Sequence, residues 1–180
     1  LAECQYRVFA TDMLASGLEA KERADMLVKY VDALLELYPS CKAVVFGPSH
    51  KFLSRESIVN HSDKAVTRFI YYAVNVRYFS IQGTEDMIVD SLGMSTLFLP
   101  DVQYHFHGMN PDEVVNHAYS VLYYIFEHDN PIGDGETIAG LENGDMSPDI
   151  QWKVQYEDSL IQPVREVLDI NMGEYASGTR

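Results

Sequence analysis

The sequence reads as a single α+β domain over residues 1–180, with two main helices on a mixed sheet of five to seven strands. Three observations carry this. Two long segments repeat apolar residues at helical spacing between helix-start and helix-stop residues. Several short runs rich in aromatic and β-branched residues lie between turn residues. A strand, a helix and a strand also follow one another within the first 47 residues, which predicts an N-terminal right-handed βαβ unit. A chain of 180 residues suits one domain, and a 47% hydrophobic content supplies its core.

The elements follow in order. "CQYRVFATDM" (4–13) has strand composition. Ser16 and Glu19 form an S-x-x-E capping box before a helix over 18–38, with Leu27, Val31, Leu34, Leu35 and Tyr38 on one face and Pro39 past its end. "CKAVVFG" (41–47) is a short apolar strand. Ser54 to Ser57 can start a short helix. "IYYAVNVRYFSI" (70–81) reads as a strand, turning at Gly83-Thr84-Glu85 into "DMIVDSLGM" (86–94). "STLFLP" is a turn before the strand "DVQYHFHG" (101–108). Asn110 then caps the second helix, with Pro111 at its first position and Glu113 at its third. Val114, Ala118, Val121, Leu122, Ile125 and Phe126 form its apolar stripe. "PIGDGETIAGLENGDMSPD" (131–149) reads as loop with one short strand. "IQWKVQYEDS" and "PVREVLDINM" return to strand character, and "GEYASGTR" reads as a frayed end. Leu1 stands where an initiator methionine would, so the chain is expected to be the C-terminal part of a longer one.

Charge is the most informative feature for function. Residues 1–84 hold ten Lys+Arg and nine Asp+Glu, whereas residues 85–180 hold three and eighteen. No Lys or Arg occurs between Arg77 and Lys153. Such a field repels nucleic acid and anionic membrane, and attracts a cationic protein or divalent ions. No apolar run approaches the roughly 18 residues that span a bilayer. Cys4 and Cys41 are too few for a disulfide scaffold, which points to reduced thiols and a cytoplasmic setting.

Three histidines mark a second candidate. His105 and His107 share one face of a strand, about 7 Å apart. His117 follows on the helix, and Asp101, Asp112 and Glu113 are near in sequence. A divalent metal on His105, His107 and His117 would make a metal-dependent hydrolase. No cofactor is predicted beyond that metal. The acidic loop after Asn130 fails the EF-hand pattern, because Pro131 and Gly133 occupy ligand positions counted from Asp129. The sequence lacks a G-x-S-x-G elbow, a P-loop and a G-x-G-x-x-G. The favoured reading is therefore a non-enzymatic acidic module that binds a cationic protein, an immunity-type inhibitor of a basic toxin being one version. Its candidate contacts are Asp101, Asp112 and Glu113 with Tyr119, Tyr123 and Tyr124.

Four features between 92 and 140 carry a resemblance: Gly93, Leu99-Pro100-Asp101, Asn110-Pro111-Asp112-Glu113, and Gly135-Glu136-Thr137-Ile138-Ala139-Gly140. In these the chain resembles a bacterial family, domain of unknown function 4261. The resemblance implies a cytoplasmic bacterial protein with a compact α+β fold, and it implies no activity and no catalytic residue.

Overall fold

A computed structural model of the chain describes residues 4–12, 17–62 and 66–178. The elements are α1 (Ala20–Leu37), β1 (Ala43–Phe46), β2 (Lys51–Ser54), α2 (Arg55–Val59), α3 (Arg68–Ala73), β3 (Asn75–Ser80), β4 (Met87–Leu92), β5 (Asp101–Phe106), α4 (Pro111–Glu127), β6 (Thr137–Glu142), β7 (Asp145–Asp158) and β8 (Glu166–Asn171). Six strands form one mixed sheet in the order β3-β4-β5-β8-β7-β6, in which only β5 and β8 run parallel. β1 and β2 form a separate antiparallel pair.

Alternation along β5 divides the sheet into two faces. Val102, Tyr104 and Phe106 turn to the core, where they meet Val114, Ala118, Leu122 and Ile125 of α4 and Leu168 and Ile170 of β8. α4 packs against β3, β4 and β5. Its start is the one its residues specify: the Asn110 side chain accepts from the Asp112 N–H at 3.0 Å, and Pro111 opens the first turn. On the other face, Asp90, Gln103 and Asp169 fall in one cross-strand row, and all three are buried.

Between the strands β4 and β5 the chain makes a tight return. Gly93 takes φ +133°, and a Cβ there would lie 2.4 Å from the Ala73 carbonyl oxygen. Only glycine fits both the conformation and the space. The Met94–Leu97 stretch is a 3₁₀ turn.

Four expectations are corrected. Residues 4–12 form no strand, and β1 pairs antiparallel with β2, so the N-terminal βαβ unit is not present among the described residues. Segment 4–12 finds no ladder, and strand composition alone does not create one. Ile70 to Ala73 are helical: Phe69, Ile70, Tyr72 and Ala73 are all buried, and a short run buried all round has the same pattern as a strand. The segment 137–158 is a hairpin of two strands rather than a loop. Its ladder shifts between Ala139, paired with Gln151, and Gly140, paired with Ser147, leaving Pro148, Asp149 and Ile150 in a bulge. A bulge is where a strand tolerates proline. The C-terminus is tied down as well, because Ala176 bridges Phe106 and the Ser177 N–H donates to the His105 carbonyl. The capping serine Ser16 lies outside the described residues; Glu19 precedes the first helical residue.

Candidate functional site

The three histidines fall into two unrelated settings. His117 is 1% exposed on the core side of α4. Its Nε2 is 2.8 Å from the Ala139 carbonyl oxygen, and its Nδ1 is 2.9 Å from the Tyr104 hydroxyl. A carbonyl only accepts, so Nε2 carries the proton and Nδ1 accepts from the phenol. Both ring nitrogens are then used in joining α4 to β5 and β6. Burial pushes the His117 pKa below its ordinary value, against the Ala139 bond, and pushes the Tyr104 phenol well above its own.

His105 and His107 do share a side of β5, at its far end, with Asp86 and Ser177. The His105 Nε2 is 3.8 Å from Asp86 Oδ2. The Ser177 hydroxyl donates to Asp86 Oδ1 at 2.8 Å, so the His107 Nδ1–H is the donor of the 3.0 Å bond to Ser177 Oγ. The serine stands between carboxylate and imidazole, whereas an activated nucleophile needs the imidazole between the other two. His117 contacts Tyr104, on the opposite face. The expected trio is thus not brought together, and among the described residues no group of three or more His, Cys, Asp or Glu is placed to hold a metal ion.

The polar row of β4, β5 and β8 is a closed network. Arg77 Nε donates to Asp90 Oδ1 at 2.8 Å. Arg165 reaches Asp90 Oδ2 at 3.0 Å and Asp101 Oδ2 at 3.1 Å, and also bonds the Ser91 carbonyl. Asp101 accepts further from the Ser91 hydroxyl at 2.8 Å and the Met94 N–H at 3.2 Å. Burial still pushes the Asp101 carboxyl above its usual range, against the pull of these donors. The stretch Ser159–Arg165 closes over this face: the Leu160 N–H donates to Gln103 Oε1 at 2.7 Å, and Arg77 bonds the Gln162 carbonyl. Asp101, expected as a surface contact, is 2% exposed and belongs to this network instead.

One open feature lies at the other end of the sheet. A groove of about 330 Å³ runs between the first turns of α4 and the β6–β7 turn. Glu113, Asn116, His117 and Ser120 line one wall, and Leu141, Gly144, Asp145 and Met146 the other. Gly144 takes φ +87° and brings the turn so close that a Cβ there would lie 3.1 Å from Glu113 Oε1. Two acidic residues, Glu113 and Asp145, thus line one small space. Met146, 48% exposed, adds an apolar surface beside them. Among the described residues neither carboxylate is in a salt bridge.

Of the expected contacts, Glu113 lines this groove and Asp112 is exposed next to it. Tyr124 is 49% exposed, with its ring 4.7 Å from that of His128. Tyr119 and Tyr123 are half-buried against the core. Asn116, Ser120, Asp145 and Met146 were not anticipated. For Asp145 the sequence does hold a signal, the turn "ENGD".

Residues 90–171 match the family model described as Domain of unknown function (DUF4261). Over this stretch the chain is similar to that family. The match runs from Asp90 of β4 through the whole of β8, so the matched region holds α4, both walls of the groove, and Asp90, Asp101 and Arg165. No curated protein and no solved structure matches the chain. Among the described residues no helix is long and apolar enough to cross a membrane.

Proposed function

We propose that this chain is an acidic, non-enzymatic binding module. Its groove between α4 and the β6–β7 turn receives a lysine or arginine side chain of a cationic protein partner. The observation that supports this is the pair Glu113 and Asp145. Both line one groove, and no cation from the chain's described residues neutralises either. Like charges that share a site are costly until a cation enters between them. Met146 and Leu141 offer apolar contact to the aliphatic stem of that side chain. The surrounding field, three basic against eighteen acidic residues from Glu85 on, speeds encounter with a basic surface. The two free thiols fit a reducing, cytoplasmic setting. An inhibitor of a basic toxin in a bacterial cell is one partner relationship of this kind.

The experiment compares two charge-matched variants for binding a fluorescent lysine- and arginine-rich peptide. The Glu113→Gln/Asp145→Asn variant is expected to bind at least about tenfold more weakly than the parent, corresponding to about 1.4 kcal/mol. A Glu166→Gln/Glu174→Gln control, on exposed residues outside the groove, removes the same charge and is expected to lose less than about threefold. Equal losses in the two would show that only the bulk field matters, and the groove reading would fail.

A further inference from the structure

Residues 4–12 leave the fold as an arm. Asp12 is pinned to α1 by Arg23, whose Nε donates to Asp12 Oδ2 at 2.9 Å. Ahead of it, residues 4–11 are all exposed and none is in a strand. The arm is nonetheless apolar: Tyr6 is 87% exposed, Val8 58% and Phe9 90%. A run of large apolar side chains left in water marks a contact surface. Arg7 stands in the middle of that run. The other described arginines all have partners: Arg23 on Asp12, Arg55 on the Leu35 carbonyl, Arg68 on Asp32, Arg77 on Asp90, and Arg165 on Asp90 and Asp101. Among the described residues Arg7 is in no salt bridge.

On the reading of the groove between α4 and the β6–β7 turn as a cation receptor, we propose that its occupant is Arg7 of a second copy of this chain. The charges are complementary: an arginine without a carboxylate meets Glu113 and Asp145, which have no cation. The apolar surfaces match as well. Side chains alternate along an extended segment, so Arg7 and Phe9 share one side, about 7 Å apart. With Arg7 in the groove, the Phe9 ring reaches Met146, which lines the groove and is 48% exposed. Methionine sulfur against an aromatic ring is a favourable contact. The arm's own groove is poorly placed for it. α1 meets the last residue of α4 where Lys21 bonds Glu127, and Glu113 lies about 21 Å away along that helix. The backbone from Asp12 back to Arg7 spans at most about 18 Å. This favours the groove of another molecule. Two copies that exchange arms make the same contact twice, which closes the pair.

The test attaches a nitroxide spin label to Cys4, the exposed thiol of the arm, in a Cys41→Ser chain. That chain is mixed with an isotope-labelled Cys4→Ser/Cys41→Ser chain. Near-physiological salt screens the long-range repulsion between two copies of net charge −14. The amide signals of Glu113, Asn116, Gly144 and Asp145 in the isotope-labelled chain are expected to broaden, and Arg7→Glu in the spin-labelled chain is expected to abolish that broadening. Broadening that is absent, spread over the surface or unchanged by Arg7→Glu would overturn the proposal. So would broadening seen only when both labels sit on one chain, the sign of an arm folded onto its own groove. A lysine- and arginine-rich peptide added to the same isotope-labelled chain separates the two readings. If it shifts the groove amides while the arm does not broaden them, the groove binds cations and only the assignment to Arg7 fails. If it shifts none of them, the groove reading fails too.

Discussion

Arg165→Ala is expected to destabilise the domain by about 3 kcal/mol or more, read as a lower denaturation midpoint with an unchanged slope. Among the described residues this guanidinium is the only one that touches Asp101, and it also holds Asp90 and the Ser91 carbonyl. Asp90 and Asp101 have side chains 0% and 1% exposed, so water cannot replace what is removed. Arg77 stays on Asp90, which places the loss near the lower end of the range for broken buried pairs. The variant also has a predicted acid response. The Asp101 pKa is raised in the folded state, so the folded form holds its proton to higher pH than the unfolded chain does. That contribution is present at low pH and is lost as pH rises through the folded value. Without Arg165 the carboxyl rises further, so the gap between variant and parent is expected to narrow on acidification. Glu166→Ala, one position on and exposed, is expected to change stability by less than about 0.5 kcal/mol.

His117→Leu is expected to cost about 3 kcal/mol, because the Tyr104 hydroxyl and the Ala139 carbonyl are left buried without partners. Adding Tyr104→Phe should recover part of that loss, since the stranded phenol goes with it. The histidine also sets a pH dependence. Its folded pKa lies below the ordinary 6.5. Above 6.5 both folded and unfolded states are neutral here and the contribution is complete. Below 6.5 the unfolded chain protonates first, so stability falls with pH until the folded histidine also takes its proton. The slope from this one group is at most about 1.4 kcal/mol per pH unit. His117→Leu should lack that slope; an unchanged slope would place the titration on other groups.

Local chemistry was legible where it decides local structure. The Asn110-Pro111 start of α4, the Gly83 turn between β3 and β4, and the Ser54 start of α2 all stand where their residues indicate. Partnership across long separations was not legible. Segment 4–12 has a strand's composition, yet no neighbour supplies a ladder. The length of β7 was hidden by Pro148, which the bulge accommodates. The i, i+2 spacing correctly puts His105 and His107 on one face, while helix packing turns His117 to the other. Arg165 amid apolar residues signals a buried charge, but its partners lie 64 and 75 positions away, at Asp101 and Asp90. The groove mixes both cases. The acidity of the region is visible in the sequence, whereas the approach of Gly144 to Glu113 depends on how the β6–β7 turn meets α4.

The most direct measurement on the docking claim is residue-resolved. Amide chemical shifts of the chain, titrated with the same lysine- and arginine-rich peptide at near-physiological salt, report where a cation settles. Saturable shifts are expected to concentrate on Glu113, Asn116, Ser120, Gly144 and Asp145, which line the groove. Shifts spread evenly over exposed acids such as Glu166 and Glu174, with none singled out at the groove, would contradict it.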